Sequence, residues 1–577
     1  MKVEDPEFLD VEAFEERSFV PDEFEVDTWP DIEPLFDQLI ERAGDASNVE
    51  ELESVVVDHS ELESIIGEER GRRYIKMTCF TDNEDYEDKY LHFVEELEPK
   101  IKQARQDLEE AIVSCEYFEE LPDGYDVYCR TVQNNVELFQ EENVQIEAEV
   151  SKISQKYQKL SGQLSVEFDG EEKTLQEMRT YLEKTDRDLR ERAWRTSRKE
   201  RYDHREEFDE IFDNLHEKRQ RIADNAGFDS FRDYTFRKLE RFDYTPEDCF
   251  DFHSAVKEHL LPVKRELQSY RREYLELDRL RPWDTSVNIL GKPPIQAYET
   301  EQELIDRVVN ILENVRPEYG ERLRLLEDRG MLDLENRKGK APGGYQTCLW
   351  EARIPFIFMN GVGVHNDIRT LLHESGHALH TLESRDQPIM QYRSTTAEFA
   401  EVASMTMELI GCEYYDDIYT SDKARQARIE QIETIIGLFP WVARVDEFQH
   451  ELYKRNPSAG VRRDIWTELA DDYSDEVDWE GLEKFKEYSW HRQLHVFEYP
   501  FYYIEYGIAQ LGAVRLWRRY EQDPRQALDD YERALELGGA RPLPELFEAA
   551  NIPFDFSAES VQPLSEFLQN KIDQWLG

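Results

Sequence analysis

Apolar residues recur every three or four positions along most of this chain, with charged residues filling the gaps. "PLFDQLIERA", "YLHFVEELEPKIKQARQDLEEAIVSCEYFEEL", "VQIEAEVSKISQKYQKLSGQL" and "QELIDRVVNILENV" all carry this period, which places their apolar side chains along one stripe of an α-helix. A helix of this kind must bury its stripe, so the pattern predicts a mainly helical protein made by packing helix on helix. Charged stretches such as "RDLRERAWRTSRKERYDHREEFDEIF" read as solvated faces of the same helices. Residues 1 to about 30 are expected to be extended, because Pro6, Pro21 and Pro30 interrupt any helix.

The period breaks in two places. In "LRPWDTSVNILGKPPIQAYET", residues 280–300, Pro and Gly interrupt the helices, and the stretch reads as a loop inside a larger domain. "GGYQTCLWEARIPFIFMNGVG", residues 343–363, is rich in aromatic and branched side chains and bounded by glycines, which predicts a hairpin or short sheet. Helical spacing then returns in "HNDIRTLLHESGHALHTLES". No unit of about 20–50 residues repeats, which argues against a solenoid.

Composition narrows the picture. A chain of 577 residues is long enough for two or three domains or one large helical body. Its 128 acidic against 71 basic residues leave a net charge of −57, which argues against a nucleic-acid partner. Aromatic residues at 12% are too many for a disordered acidic chain, so the excess carboxylates read as a solvated shell suited to concentrated salt. The six cysteines form no CxxC pair, which fits a reducing compartment, and the acidic start lacks the features of a signal peptide. With no apolar run approaching about 18 residues, a cytoplasmic location without membrane partners is expected.

Candidate chemistry sits in "LLHESGHALH", residues 371–380. On a helix, His373 and His377 are one turn apart and project from one face, with Glu374 beside them. In this HExxH arrangement two neutral imidazoles bind zinc, and the glutamate, kept off the metal, takes a proton from the attacking water. The alternative is a helix whose histidines are satisfied by buried hydrogen bonds. Gly376 counts against that alternative, since a glycine inside a helix costs about 1 kcal/mol relative to Ala and needs a packing reason.

A catalytic zinc needs a third protein ligand. "STTAEFAEVASMTMELIGCEYY" predicts a helix carrying Glu398, Glu401 and Glu408 on roughly one face, and spacing does not choose among them. Together, "LLHESGHALH" and "AEFAEVASMTMEL" resemble the thimet oligopeptidase and oligoendopeptidase F family of zinc metallopeptidases. The resemblance implies Glu401 as the third ligand and Glu408 in support, and His380 and Gly376 also match family positions. "GKAPGGYQTCLWEARIPFIFMNGVGVHNDIRTLLHE", "DEFQHELYKRNP" and "HRQLHVFEYPFYYIEYGIAQLGA" are similar to further family segments, most clearly over about 340–515.

What the resemblance implies is a large helical ellipsoid of two halves enclosing a deep substrate channel, with a small β-sheet beside the zinc helix. Residues 1–190 would form an N-terminal helical region and part of the channel wall, and residues 191–577 the catalytic domain. One Zn²⁺ per chain would be held by His373, His377 and Glu401, with Glu374 as general base and Tyr506 and His495 stabilising the oxyanion. His495 stands one residue away from the place the family pattern gives its histidine. Gly344, Tyr345, Gln346 and Thr347 would pair with the substrate backbone, and Tyr499 and Tyr503 would complete the substrate site. The expected activity is endopeptidase cleavage of short unstructured peptides; the alternatives are a zinc exopeptidase and a non-catalytic acidic binding protein.

The charge imbalance makes a prediction independent of the chemistry. At about 1 M salt the Debye length shrinks to about 3 Å, which screens surface carboxylates from one another. The melting temperature is expected to rise as KCl is raised from about 0.1 M to about 3 M. A melting temperature that stayed flat or fell would remove the salt-shell reading.

Overall fold

The computed structural model describes residues 8–576, mostly as helix with two small sheets. The first seven residues of the expected extended segment, Pro6 among them, lie outside that range, and residues 8–28 form turns and bends. All four periodic stretches quoted above are helical over most of their length. Among the described residues no helix is long and apolar enough to cross a membrane.

The chain folds into two compact units, each assembled from three separate stretches. The first comprises residues 1–137, 296–420 and 512–554, and the second residues 138–295, 421–511 and 555–577. The Pro- and Gly-rich segment 280–300 therefore contains a passage between units, at Ile295/Gln296, and is not a loop inside one body.

In the first unit, helices Trp29–Asp45, Val49–Cys79 and Glu98–Ser114 bury a shared stripe that includes Phe36, Leu52, Leu62, Ile101 and Leu108. Pro sits at the start of the first, and the Asn48 side chain accepts from the Glu51 N–H at the start of the second. A three-stranded sheet places Ile354–Gly361 in the middle, parallel to Leu332–Glu335 and antiparallel to Tyr345–Leu349. Phe356, Ile357 and Phe358 are all fully buried, so the central strand reads as a continuous apolar run and not as an alternating one. Tyr345 pairs with Phe358 and stacks on its ring at 4.8 Å.

The sheet leads straight into helix His365–Ser384, called here the histidine helix. The turn runs through Gly363 at φ +91°, a left-handed conformation that favours glycine, and an added Cβ would lie 2.6 Å from Gln296 Nε2. Asp367 fixes the entry: its carboxylate accepts from the backbone N–H groups of Val362, Gly363 and Val364 at 2.8–3.0 Å and from the Tyr298 hydroxyl at 2.7 Å. Helix Ala397–Gly411, the glutamate helix, packs against the histidine helix so closely that a Cβ on Gly376 would lie 2.6 Å from Ser404 Cα and 2.7 Å from the Ala403 carbonyl oxygen.

The second unit is organised around the 35-residue helix Ser421–Arg455 and includes a hairpin, Ser165–Phe168 with Glu171–Thr174, turned by Asp169 and Gly170 at positive φ. The run at 187–212 does not expose all its charge. Arg190 is buried, donating to the Trp283 carbonyl at 3.0 Å and to Asp284, itself fully buried, at 2.9 Å. Arg219, also buried, donates to the Tyr453 hydroxyl and to the carbonyls of Val496 and Phe497, which anchors the segment that carries His495. Phe501, buried with φ +66°, turns the chain toward helix Tyr503–Gln522. That disfavoured conformation is held by Gln449 Oε1, which accepts from the Phe501 N–H at 2.8 Å, and by Arg241, which donates to the Phe501 carbonyl and to Glu505.

The contact at Gly376 is testable. Gly376→Ala has backbone, not a flexible side chain, in its way, so the two helices must separate, and overpacking of this kind costs about 1–3 kcal/mol. A lower melting temperature is the expected result, read by thermal unfolding.

Candidate metal centre

Three side chains of the first unit offer ligand atoms that all lie within 4.8 Å of one another: His373, His377 and Glu401. The two imidazoles come from successive turns of the histidine helix, their ring centres 4.9 Å apart and nearly perpendicular. Glu401 reaches them from the facing glutamate helix, with Oε2 3.5 Å from His373 Nε2 and Oε1 4.0 Å from His377 Nε2. A tetrahedral shell with bonds of about 2.0–2.2 Å has edges of about 3.4 Å, so the donor set fits zinc in both chemistry and spacing. Of the three glutamates that share a helix face, Glu401 brings an oxygen into this group, while Glu398 is buried and is not among its members, and Glu408 lies against Nδ1 of His373.

Glu408 Oε1 lies 2.7 Å from His373 Nδ1, so Nδ1–H donates to the carboxylate and Nε2 is left as the ligand atom. Arg369, one turn before His373 on the same face, meets the other Glu408 oxygen at 3.2 Å. This arginine was not singled out from the sequence, although its place four residues before His373 in the i, i+4 series was a usable signal. Ser404 donates to Glu401 Oε2 at 3.1 Å and restricts that carboxylate.

Burial works against a charge on His373, but the hydrogen bond to Glu408 and the charges of Glu408, Glu401 and Glu374 prevail and raise it to about 9. Burial, then repulsion from His373 and His380, hold His377 well below the usual imidazole value. Without an ion the three acids thus hold a proton on one ligand, the charge pattern a dication relieves. Glu374 is raised to about 7, chiefly by burial, with His373 opposing and Glu401 and Glu408 adding. A carboxylate near neutrality is placed to accept a proton and return it. His380 is buried edge-on to Phe399, and burial lowers it to about 4.

The strand residues Gly344, Tyr345, Gln346 and Thr347 lie at or in the edge strand of the three-stranded sheet. Gln346 donates to the hydroxyl of Thr381, one turn beyond His377, and Tyr345 shares a hydrogen bond with Thr78 at 2.6 Å.

His495 and the tyrosines belong to the second unit, where they form one aromatic group. The His495 ring lies 4.6 Å from Tyr503, 6.1 Å from Tyr506 and 6.4 Å from Tyr499, and Tyr503 and Tyr506 are 5.6 Å apart. A relay fixes the His495 tautomer. Trp441 Nε1–H can only donate, and it donates to Gln493 Oε1 at 3.1 Å. The Gln493 amide nitrogen therefore faces His495 Nδ1 at 2.8 Å as a donor, which leaves the proton of the neutral ring on Nε2. Burial lowers His495 to about 4, so the ring is neutral at pH 7 and presents an N–H. Sequence reasoning missed both Trp441 and Gln493.

Comparison with known proteins assigns the chain to a family. Residues 19–139 match the peptidase M3 N-terminal domain and residues 180–564 match peptidase family M3. Oligopeptidase PepF of Bacillus subtilis is 24% identical over 334 residues, 57% of this chain and 49% of that protein. An oligoendopeptidase F homolog of Borreliella burgdorferi is 26% identical over 295 residues, 50% of this chain and 49% of that protein. The chain spans about half the length of the curated relatives it matches. Among solved structures, PZ peptidase A with an inhibitor is 28% identical and superposes with a TM-score of 0.87 over 96% of this chain and 99% of that one. A putative oligoendopeptidase F of Bacillus anthracis gives 25% identity and a TM-score of 0.81 over 97% and 98%. With a family match over more than half its length and the same fold, the chain belongs to peptidase family M3.

Proposed function

We propose that the protein is a zinc-dependent oligoendopeptidase that hydrolyses internal bonds of short unstructured peptides in the cytoplasm, with one Zn²⁺ held by His373, His377 and Glu401. The observation that carries this reading is the convergence of those three ligand atoms beside Glu374 on the same helix. Zinc, when bound, supplies a Lewis acid that acidifies water and polarises a peptide carbonyl. Glu374 takes the proton of the attacking water and passes it to the leaving amine nitrogen. Glu408, steadied by Arg369, accepts Nδ1–H of His373 and so aims Nε2 at the place the metal would take. His380, on the same helix, packs against Phe399 of the glutamate helix.

For the oxyanion we assign Tyr506 and the Nε2–H of His495 as donors, in keeping with the tautomer set by Gln493. The edge strand at Gly344–Thr347 takes the substrate backbone as an added strand, with Tyr499 and Tyr503 against its side chains; the edge position and the Gln346–Thr381 bond support that role. Residues 1–190 form part of the substrate wall and residues 191–577 the catalytic domain, a division supported by separate family matches at 19–139 and 180–564.

Metal removal by a chelator is expected to abolish peptide cleavage. Glu401→Gln is expected to lose zinc while Glu398→Gln retains it, and the reverse result would overturn the ligand assignment. Glu374→Gln should keep zinc yet lose turnover by about 10²–10⁴-fold or more, since it removes the general base without touching the ligands.

Tyr506→Phe should lower kcat with little change in KM, the mark of an interaction made only in the transition state. Unaltered kcat would remove Tyr506 from the mechanism.

A further inference from the structure

The second unit holds a cavity of about 370 Å³ with a charge pattern opposite to that of the chain as a whole. Arg198, Arg444 and Arg492 line it, and among the described residues none of the three has a carboxylate partner. The other cations on its wall are paired: Arg271 with Glu433, Lys264 with Asp475 at 3.5 Å, and Lys486 with Asp471. In a chain with 128 acidic and 71 basic residues, three unpaired arginines facing one space are the opposite of what composition alone would place there.

Each guanidinium rests on an indole. Arg444 lies 3.6 Å from the Trp466 ring centre, Arg492 4.8 Å from Trp441 and Arg198 5.7 Å from Trp194. Stacking fixes the plane of a guanidinium and leaves its N–H edge for a planar acceptor. Arg444 donates to the Trp466 carbonyl at 3.2 Å, while its Nε is buried and has no hydrogen-bond partner. Desolvation by the cavity walls, then repulsion from Arg492, Arg201 and Arg179, hold Arg198 well below the usual guanidinium value. Desolvation and Arg492 push Arg444 down to about 9, and desolvation and Arg179 push Arg492 down to about 10. Arginine keeps its proton in proteins, so such shifts express first the desolvation of these cations and then their mutual repulsion, both of which a bound anion would relieve.

The cavity also adjoins the proposed chemistry within its own unit. Trp441, on its wall, begins the hydrogen-bonded relay through Gln493 to His495, and the charge of Arg492 acts on Tyr503. Resting on the peptidase reading above, we propose that this cavity is a specificity subsite in which Arg198, Arg444 and Arg492 receive a carboxylate of the substrate peptide. Guanidinium groups suit a carboxylate because their paired N–H donors match its two oxygens.

The test compares four matched peptides at one fixed salt concentration: a free C-terminal acid and its amide, and an internal Glu and its Gln counterpart. The ratio of kcat/KM for acid over neutral peptide is read for the native enzyme, Arg198→Gln and Arg492→Gln. A native preference that falls at least about tenfold in both variants supports the subsite, and the pair showing it tells a terminal from a side-chain carboxylate. A ratio unchanged in both variants overturns the proposal, as does a fall in melting temperature without a change in ratio, which would make these arginines structural. Binding is also followed through tryptophan fluorescence, so absence of all turnover would count against the peptidase reading alone. In that case acid-selective binding lost in the variants still supports the subsite. Equal binding of acid and amide peptides, with inorganic phosphate binding in their place, overturns it.

Discussion

The candidate site depends on how closely two helices can approach. His373 and His377 stand on one helix and Glu401 on another, and their ligand atoms converge only because Gly376 lets the backbone of one helix meet Ser404 and Ala403 of the other. A side chain as small as alanine would intervene. Around that contact the rest of the first unit acts as a clamp. Asp367 ties the start of the histidine helix to the sheet, Gln346 ties the edge strand to Thr381, and Tyr531 donates to the Ala403 carbonyl at 2.9 Å behind the glutamate helix.

Electrostatics act on two scales that need separate treatment. Across the surface the net charge of −57 is a diffuse repulsion that salt screens within a few ångströms. Inside the molecule the pattern is local and specific. Three acids gather at the histidine helix, where a dication fits, and three arginines gather at a cavity of the second unit, where an anion fits. Long-range charge acts on how fast a charged ligand arrives, and enclosed groups on how it is held.

The sequence exposed those features whose signal is short. The i, i+4 histidines, the glycine inside their helix, and the glycine-bounded aromatic run that becomes the sheet were all readable from a few residues. Signals settled over longer distance were not. Glu398, Glu401 and Glu408 share a periodicity, and only the packing of two helices decides which one comes near Nε2 of both His373 and His377. Arg190 and Arg198 look like any solvated charge in a helical run, because nothing local shows that Asp284 or a cavity lies opposite. The interleaving of the two units is likewise a product of contacts between stretches far apart in the chain. Two elements are hidden by their shortness: the strands flanking the Asp169–Gly170 turn and strand Leu332–Glu335 have four residues each, too few to show a period.

The turn at Phe501 bears on the order of assembly. Its left-handed backbone is unfavourable for a free chain, and the groups that satisfy it are distant in sequence: Gln449 binds its N–H, Arg241 its carbonyl. The segment from His495 to Tyr506 therefore acquires its shape only after the strands of chain around residues 241 and 449 have come together. The shape of the aromatic group thus depends on contacts drawn from distant parts of the second unit.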